Sequence, residues 1–122
     1  MIGYVTIGVN DFEGAKKFYD AALKGLGAAR GFSNERMQGY SAKGSQTMLA
    51  ICKPYDGGKA TAGNGTMVSL VAPSREVVDQ VYKDALAAGA KDEGAPGERT
   101  SAFYGAYFRD PDGNKFCVFK MG

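Results

Sequence analysis

Residues 103–120 read FYGAYFRDPDGNKFCVFK. Two runs rich in aromatic and aliphatic residues, Ala102–Arg109 and Lys115–Lys120, flank a five-residue joint, Asp110-Pro111-Asp112-Gly113-Asn114. Proline presets φ at one turn position and glycine supplies a positive φ at another, so the stretch predicts strand, tight turn, strand. The acids of DPDGN resemble a fragment of a calcium loop, but five residues are too few to wrap that ion.

Working back from this hairpin, the same order of elements occurs twice. In the first half YVTIGVN leads into DFEGAKKFYDAALKGLG, and in the second TMVSLVAP leads into SREVVDQVYKDALAAG. Each is a strand followed by an amphipathic helix. Phe12, Ala15, Phe18, Tyr19, Ala22, Leu23 and Leu26 recur at helical spacing in the first. Asn10 is its expected cap, with Glu13 completing a capping box. Val77, Val78, Val81, Tyr82 and Ala85 form the apolar face of the second, with Ser74 as cap and Gly89 as stop. Short strand candidates follow each helix: Ala28–Ser33, Met37–Ala42 and Gln46–Lys53, then Ala90–Glu93 before the closing hairpin. The intervening KPYDGGKATAGNGT has no periodicity and no strand-GxGxxG-helix context, so it reads as a linker and not as a phosphate loop. The expectation is a single α+β domain over residues 1–122. Module one spans about 1–53, the linker 54–65 and module two about 66–122. The paired βαβββ modules would form a curved mixed sheet with helices on the outside.

Composition narrows the chemistry. The chain of 122 residues is 44% hydrophobic and contains no histidine. Within one chain that removes Ser-His-Asp and Cys-His mechanisms, the commonest general base and the commonest metal ligand. Fifteen Lys and Arg residues are scattered among 13 acids, for a net charge of +2, with no basic stripe of the kind nucleic acids need. No apolar run reaches membrane-spanning length, and MIGYVTIGVND resembles a first strand more than a signal peptide. A cytoplasmic protein is expected, binding neither nucleic acid nor membrane. Its two cysteines, Cys52 and Cys117, match neither a disulfide framework nor a zinc pattern.

Side chains alternate across a strand, which sorts each strand into two faces. Val5, Ile7, Val9, Leu49, Ile51, Val68, Leu70, Phe116 and Val118 are expected under the helices. The opposite faces carry Tyr4 and Thr6; Met48, Ala50 and Cys52; Met67 and Ser69; and Lys115, Cys117 and Phe119. A mixed, medium-sized set of this kind suits a ligand cavity, and equally a second core or a dimer surface.

The paired halves resemble the vicinal oxygen chelate superfamily. The segments that carry the resemblance are YVTIGVNDFEGAKKFY, GNGTMVSLVAPSREVVDQVYKDALAAGA and YGAYFRDPDGNKFCVF. That superfamily includes glyoxalase I, bleomycin-resistance proteins, fosfomycin-resistance enzymes and extradiol dioxygenases. The resemblance covers nearly the whole chain and implies the glyoxalase-like fold and a homodimer, with modules paired or swapped between chains. Glyoxalase-type members place four metal ligands on the concave face, from the first, fourth, fifth and eighth strands. Laid onto this sequence, slots usually filled by His, Glu, His or Gln, and Glu fall on Tyr4, Ala50, Met67 and Cys117. Those side chains do not suit a hard divalent ion, so no metal and no cofactor are expected, leaving only a minor route to Cu(I) through thiolate and thioether.

Three functions follow from the resemblance. The first is a metal-free protein that binds and sequesters an unknown small molecule. Its cavity residues would be Tyr4, Thr6, Met48, Ala50, Met67, Ser69, Tyr104, Cys117 and Phe119, with Phe103, Tyr107 and Tyr40 as further aromatic candidates. Tyr107 shares the alternation of Gly105 and is read as core. Arg30, Arg36, Gln38, Arg99 and Arg109 are candidate anchors for an anionic group. The slight basic charge argues against a cationic ligand such as bleomycin. The second function is a metal-free enzyme using Tyr4 or Cys117, the thiol activated by a cation such as Lys115. The third is a glyoxalase- or dioxygenase-like metal enzyme drawing unusual ligands from Glu13, Glu35, Asp56 or Asp92.

Overall fold

The computed structural model describes residues 1–122. Module one runs β1 (Tyr4–Gly8), α1 (Phe12–Ala22), a 3-10 turn (Lys24–Leu26), β2 (Ala28–Ser33), β3 (Met37–Ala42) and β4 (Met48–Cys52). Module two repeats the order with β5 (Val68–Val71), α2 (Arg75–Ala87), β6 (Lys91–Thr100), β7 (Phe103–Arg109) and β8 (Lys115–Met121). The eight strands form two mixed four-stranded sheets, ordered β1-β4-β3-β2 and β5-β8-β7-β6. β1 runs parallel to β4 and β5 parallel to β8; the other pairs are antiparallel. No strand pairs across the modules, so β1 and β5 each keep one free edge.

Apolar side chains on the helix-facing sides join one core of 19 buried residues drawn from both modules. Ile7, Val9, Leu49, Ile51, Phe116 and Val118 belong to it, as the alternation requires, and α1 and α2 contribute Phe18, Tyr19, Val78 and Val81. Tyr19 reaches from α1 into the second module, its ring 5.8 Å from that of Phe116. Neither module closes this core alone.

The closing hairpin fastens the modules together. Gly113, with φ of 90°, donates its N–H to Asp110 O at 2.9 Å, and Asp110 N–H donates to Asn114 O at 2.9 Å. The buried Asp110 carboxylate accepts from Asp112 N–H, from Asn114 N–H and Nδ2, and from the Tyr19 hydroxyl at 2.6 Å. Asn114 Nδ2 also donates to Gly8 O, and Asp112 accepts from Asn10. DPDGN is therefore both a turn and a clasp on the β1–α1 junction.

Several boundaries differ from the sequence reading. Asp11, not Asn10, caps α1, accepting from Gly14 N–H at 3.0 Å. Asn10 is engaged elsewhere: its side chain accepts from Ala60 N–H and donates to Ala60 O and Asp112. Leu26 sits in the 3-10 turn beyond the helix. β6 is ten residues long although only Ala90–Glu93 was expected. Its KDEGAPGERT text carries two glycines and a proline, which a bulged edge strand paired only with β7 tolerates. Between β4 and β5 no helix or strand forms, and Ala60 is the one buried residue of that stretch.

Candidate functional site on the open sheet faces

The faces turned away from the helices are fixed by register. In module one Tyr4 stands beside Met48, and Thr6 beside Ala50. Tyr4 and Thr6 are exposed, Met48 is half-buried and Ala50 is buried. In module two Ser69 pairs with Cys117 and Val71 with Phe119, while Met67 lies just before β5. Ser69 and Met67 are exposed, Phe119 is half-buried and Cys117 is buried. The eight residues thus occupy two surfaces, four on each, on sheets that share no strand pairing.

Tyr104 does not join them. It faces α2, packs against the core and donates its hydroxyl to Asp79 at 2.6 Å. The antiparallel register explains this: a turn that pairs Arg109 with Lys115 puts Tyr107 against Cys117 and Tyr104 against Lys120. Tyr107, read as core from the sequence, is the β7 tyrosine on the Cys117 face. Counting through the five-residue turn would have found it. Tyr40 is buried and interior, its one hydroxyl proton shared between two acceptors in reach, Lys16 O and Asp20.

The candidate anion anchors also separate. Arg30 is held by both oxygens of Asp20, which holds the Asp20 carboxyl below its usual range. Arg36 donates to Lys53 O and lies over Tyr55. Gln38 is buried and donates to Phe32 O and Gly39 O. Arg109 is paired with Glu93 at 2.6 Å, and that contact lowers the Glu93 pKa. Arg99 alone of the five has its charge on the open face with no carboxylate partner, 5.4 Å from the Tyr107 ring.

Cys117 is the most enclosed group on the module two face. Burial pushes its thiol above the ordinary value, outweighing the opposing pull of the Tyr107 and Ser69 hydroxyls and of the Arg99 and Lys115 charges. At neutral pH the sulfur is therefore a protonated, neutral wall and a poor nucleophile. Beside it the Phe103 and Phe119 rings stack with centroids 5.2 Å apart and planes 8° apart. Gly105 makes this possible: a Cβ there would fall 2.7 Å from the Phe103 ring.

The residues present do not form a metal centre. The four slots of the glyoxalase pattern hold Tyr4, Ala50, Met67 and Cys117, without a carboxylate or an imidazole among them. Nowhere do three or more His, Cys, Asp or Glu side chains gather to hold an ion. Glu13 is paired with Lys16 one turn along α1.

The family model of the Glyoxalase/Bleomycin resistance protein/Dioxygenase superfamily matches residues 1–118, and the chain belongs to that superfamily. A glyoxalase/bleomycin resistance protein from Albidiferax ferrireducens is 39% identical, with a TM-score of 0.93 over 100% of this chain and 99% of that one. A superfamily member from Sphaerobacter thermophilus is 26% identical, with a TM-score of 0.71 over 98% of this chain and 96% of that one. A lactoylglutathione lyase from Agrobacterium tumefaciens shares the fold at 18% identity, with a TM-score of 0.71 over 98% of this chain and 92% of that one. No curated protein matches the chain significantly. No helix is long and apolar enough to cross a membrane.

Proposed function

We propose that the protein is a small-molecule-binding member of its superfamily that works without a resident metal ion and holds its ligand against the open sheet faces. The observation that carries this reading is the donor set. Positions that offer oxygen and imidazole ligands in glyoxalase-type sites are here a phenol, a methyl group, a thioether and a buried protonated thiol. What remains is shaped apolar surface with a few polar tips, which suffices for binding. The raised Cys117 pKa weighs against thiolate catalysis as the alternative.

The binding unit in this proposal is a homodimer acting in the cytoplasm. Its support is the pair of unpaired edges on β1 and β5, and a largely apolar groove of about 470 Å³ running between Val5 and Leu49 of module one and Leu70 of module two. Tyr4, Met67 and Val71 are exposed beside these edges. Single chains with such edges invite pairing. Two free cysteines agree with a reducing compartment.

Metal analysis tests the reading. Purified protein is incubated with nickel, zinc, manganese and iron(II), desalted and assayed for metal, with its mass taken by light scattering. The expected result is no retained metal and twice the mass of one chain. One tightly held equivalent per chain would overturn the metal-free reading, and a monomer would overturn the dimer.

A further inference from the structure

We propose that the open face of module two is an anion site with an aromatic floor: a flat organic acid seats its oxyanion between Arg99 and Lys115 and lays its apolar body over Phe103 and Phe119. This deepens the binding reading above and rests on it.

The charge pattern comes first. Four of the protein's cations, Lys16, Arg30, Arg75 and Arg109, are paired with carboxylates. Arg99 and Lys115 are not, yet both converge on one ring: their charges lie 5.4 Å and 5.8 Å from the centroid of Tyr107. Arg99 is fixed in place by donating to Ala95 O at 2.7 Å and Gly97 O at 3.0 Å, contacts that orient the guanidinium without neutralising it. The nearby acid on this face, Glu93, is taken up by Arg109. Arg99 and Lys115 thus flank the Tyr107 ring from β6 and β8 with no ion pair of their own, Lys115 acting on Glu93 only at longer range, and an oxyanion over that ring edge would gain favourable contact with both. An arginine whose fork is already oriented loses little freedom on binding an oxyanion.

The second observation is the floor. Lys115, Cys117, Phe119 and Met121 share one side of β8, and β7 adds Phe103 and Tyr107 to the same side. From Lys115 to Phe119 along the strand is about 13 Å, enough for an acid head at one end and a ring system at the other. The neutral thiol of Cys117 and the phenol of Tyr107 lie between them and place no negative charge in the ligand's way. Half-buried Lys115 also borders, with Arg109, a recess of about 620 Å³ walled by linker residues 62–66. Cations at one end and a parallel pair of rings at the other define an amphipathic anion and exclude a cation or a purely apolar ligand.

The test uses 1-naphthoate and its neutral analogue 1-naphthalenemethanol, titrated into the full chain by calorimetry at low ionic strength. The naphthoate is expected to bind about 10-fold more tightly or better. In Arg99→Gln/Lys115→Gln that preference disappears while affinity for the alcohol stays unchanged, and Arg99→Lys retains part of it. Phe119→Ala weakens both compounds. Thermal melts of each variant check folding, which exposed Arg99 and half-buried Lys115, neither of them in an ion pair, should leave intact. Equal affinity for acid and alcohol, or a preference surviving in the double variant, overturns the anion site but leaves small-molecule binding standing. Binding of neither compound overturns the anion site and counts against the binding reading as well.

Discussion

Replacing Tyr19 with phenylalanine removes one oxygen and tests how the two modules are joined. The Tyr19 ring is buried among residues of both modules, and its hydroxyl donates to the buried Asp110 carboxylate at 2.6 Å. A hydrogen bond to a charged acceptor contributes about 1.5–3 kcal/mol. Asp110 keeps its three other donors, from Asp112 and Asn114, so the variant should lose about 2 kcal/mol. For a chain of this size that is a fall in melting temperature of about 6–12 °C. The pH dependence gives an independent readout. Burial and the adjacent Asp110 raise the Tyr19 pKa well above its ordinary value, so the native state keeps the phenolic proton after the unfolded chain has lost it. Stability from this group is complete below about pH 10 and declines above it by about 1.4 kcal/mol per pH unit. Tyr19→Phe lacks that titration, so the gap between the two proteins narrows from pH 10 upward. Urea unfolding followed by circular dichroism at pH 7, 10 and 11 measures both effects. A variant within 1 kcal/mol of the parent at pH 7, with a gap that does not change at high pH, would refute the clasp.

Two further outcomes bear on the open face. Gly105→Ala places a methyl group where the Phe103 ring now lies, and because that ring is only half-buried it moves aside. Stability should stay within about 1 kcal/mol, overpacking being offset by the lost glycine entropy, while NMR contacts between Phe103 and Phe119 disappear. Unchanged contacts would contradict the close approach. Both thiols should react with a disulfide reagent at pH 7.5 at least ~100-fold more slowly in the native protein than in urea, since both are buried and the Cys117 pKa is raised. A rapid phase equal to one thiol would show an activated cysteine and revive thiol catalysis.

Much of the fold was legible because its signals are local. The alternation of Val5, Ile7 and Val9, the helical spacing from Phe12 to Ala22 and the Ser74 cap each depend on neighbours within a turn or a strand. The candidate site was legible in part. Alternation within single strands brought Tyr4 and Thr6, Met48 and Ala50, and Ser69, Cys117 and Phe119 to the open faces. It failed for Tyr104 and Tyr107, because their side depends on register across the turn, and a slip of one residue inverts every assignment. β6 was missed beyond Glu93 because its glycines and proline argue against a strand, and only pairing with β7 makes it one.

The sequence by itself determined two similar modules and the absence of histidine, since these depend on residue identity and short-range pattern, while the four slots at Tyr4, Ala50, Met67 and Cys117 came from the family resemblance. Only the tertiary structure decided which charges are spent and which are free. Arg30, Arg36, Arg99 and Arg109 are equivalent as text, yet Asp20 and Glu93 pair with Arg30 and Arg109, backbone carbonyls hold Arg36 and Arg99, and only Arg99 lies with Lys115 on the Tyr107 ring. It also decided that Asn10, Tyr19 and the DPDGN turn, about 100 residues apart in the case of Asn10 and Asp112, meet as one clasp. Partners so distant in sequence are selected by packing of the shared core, and no local propensity encodes them.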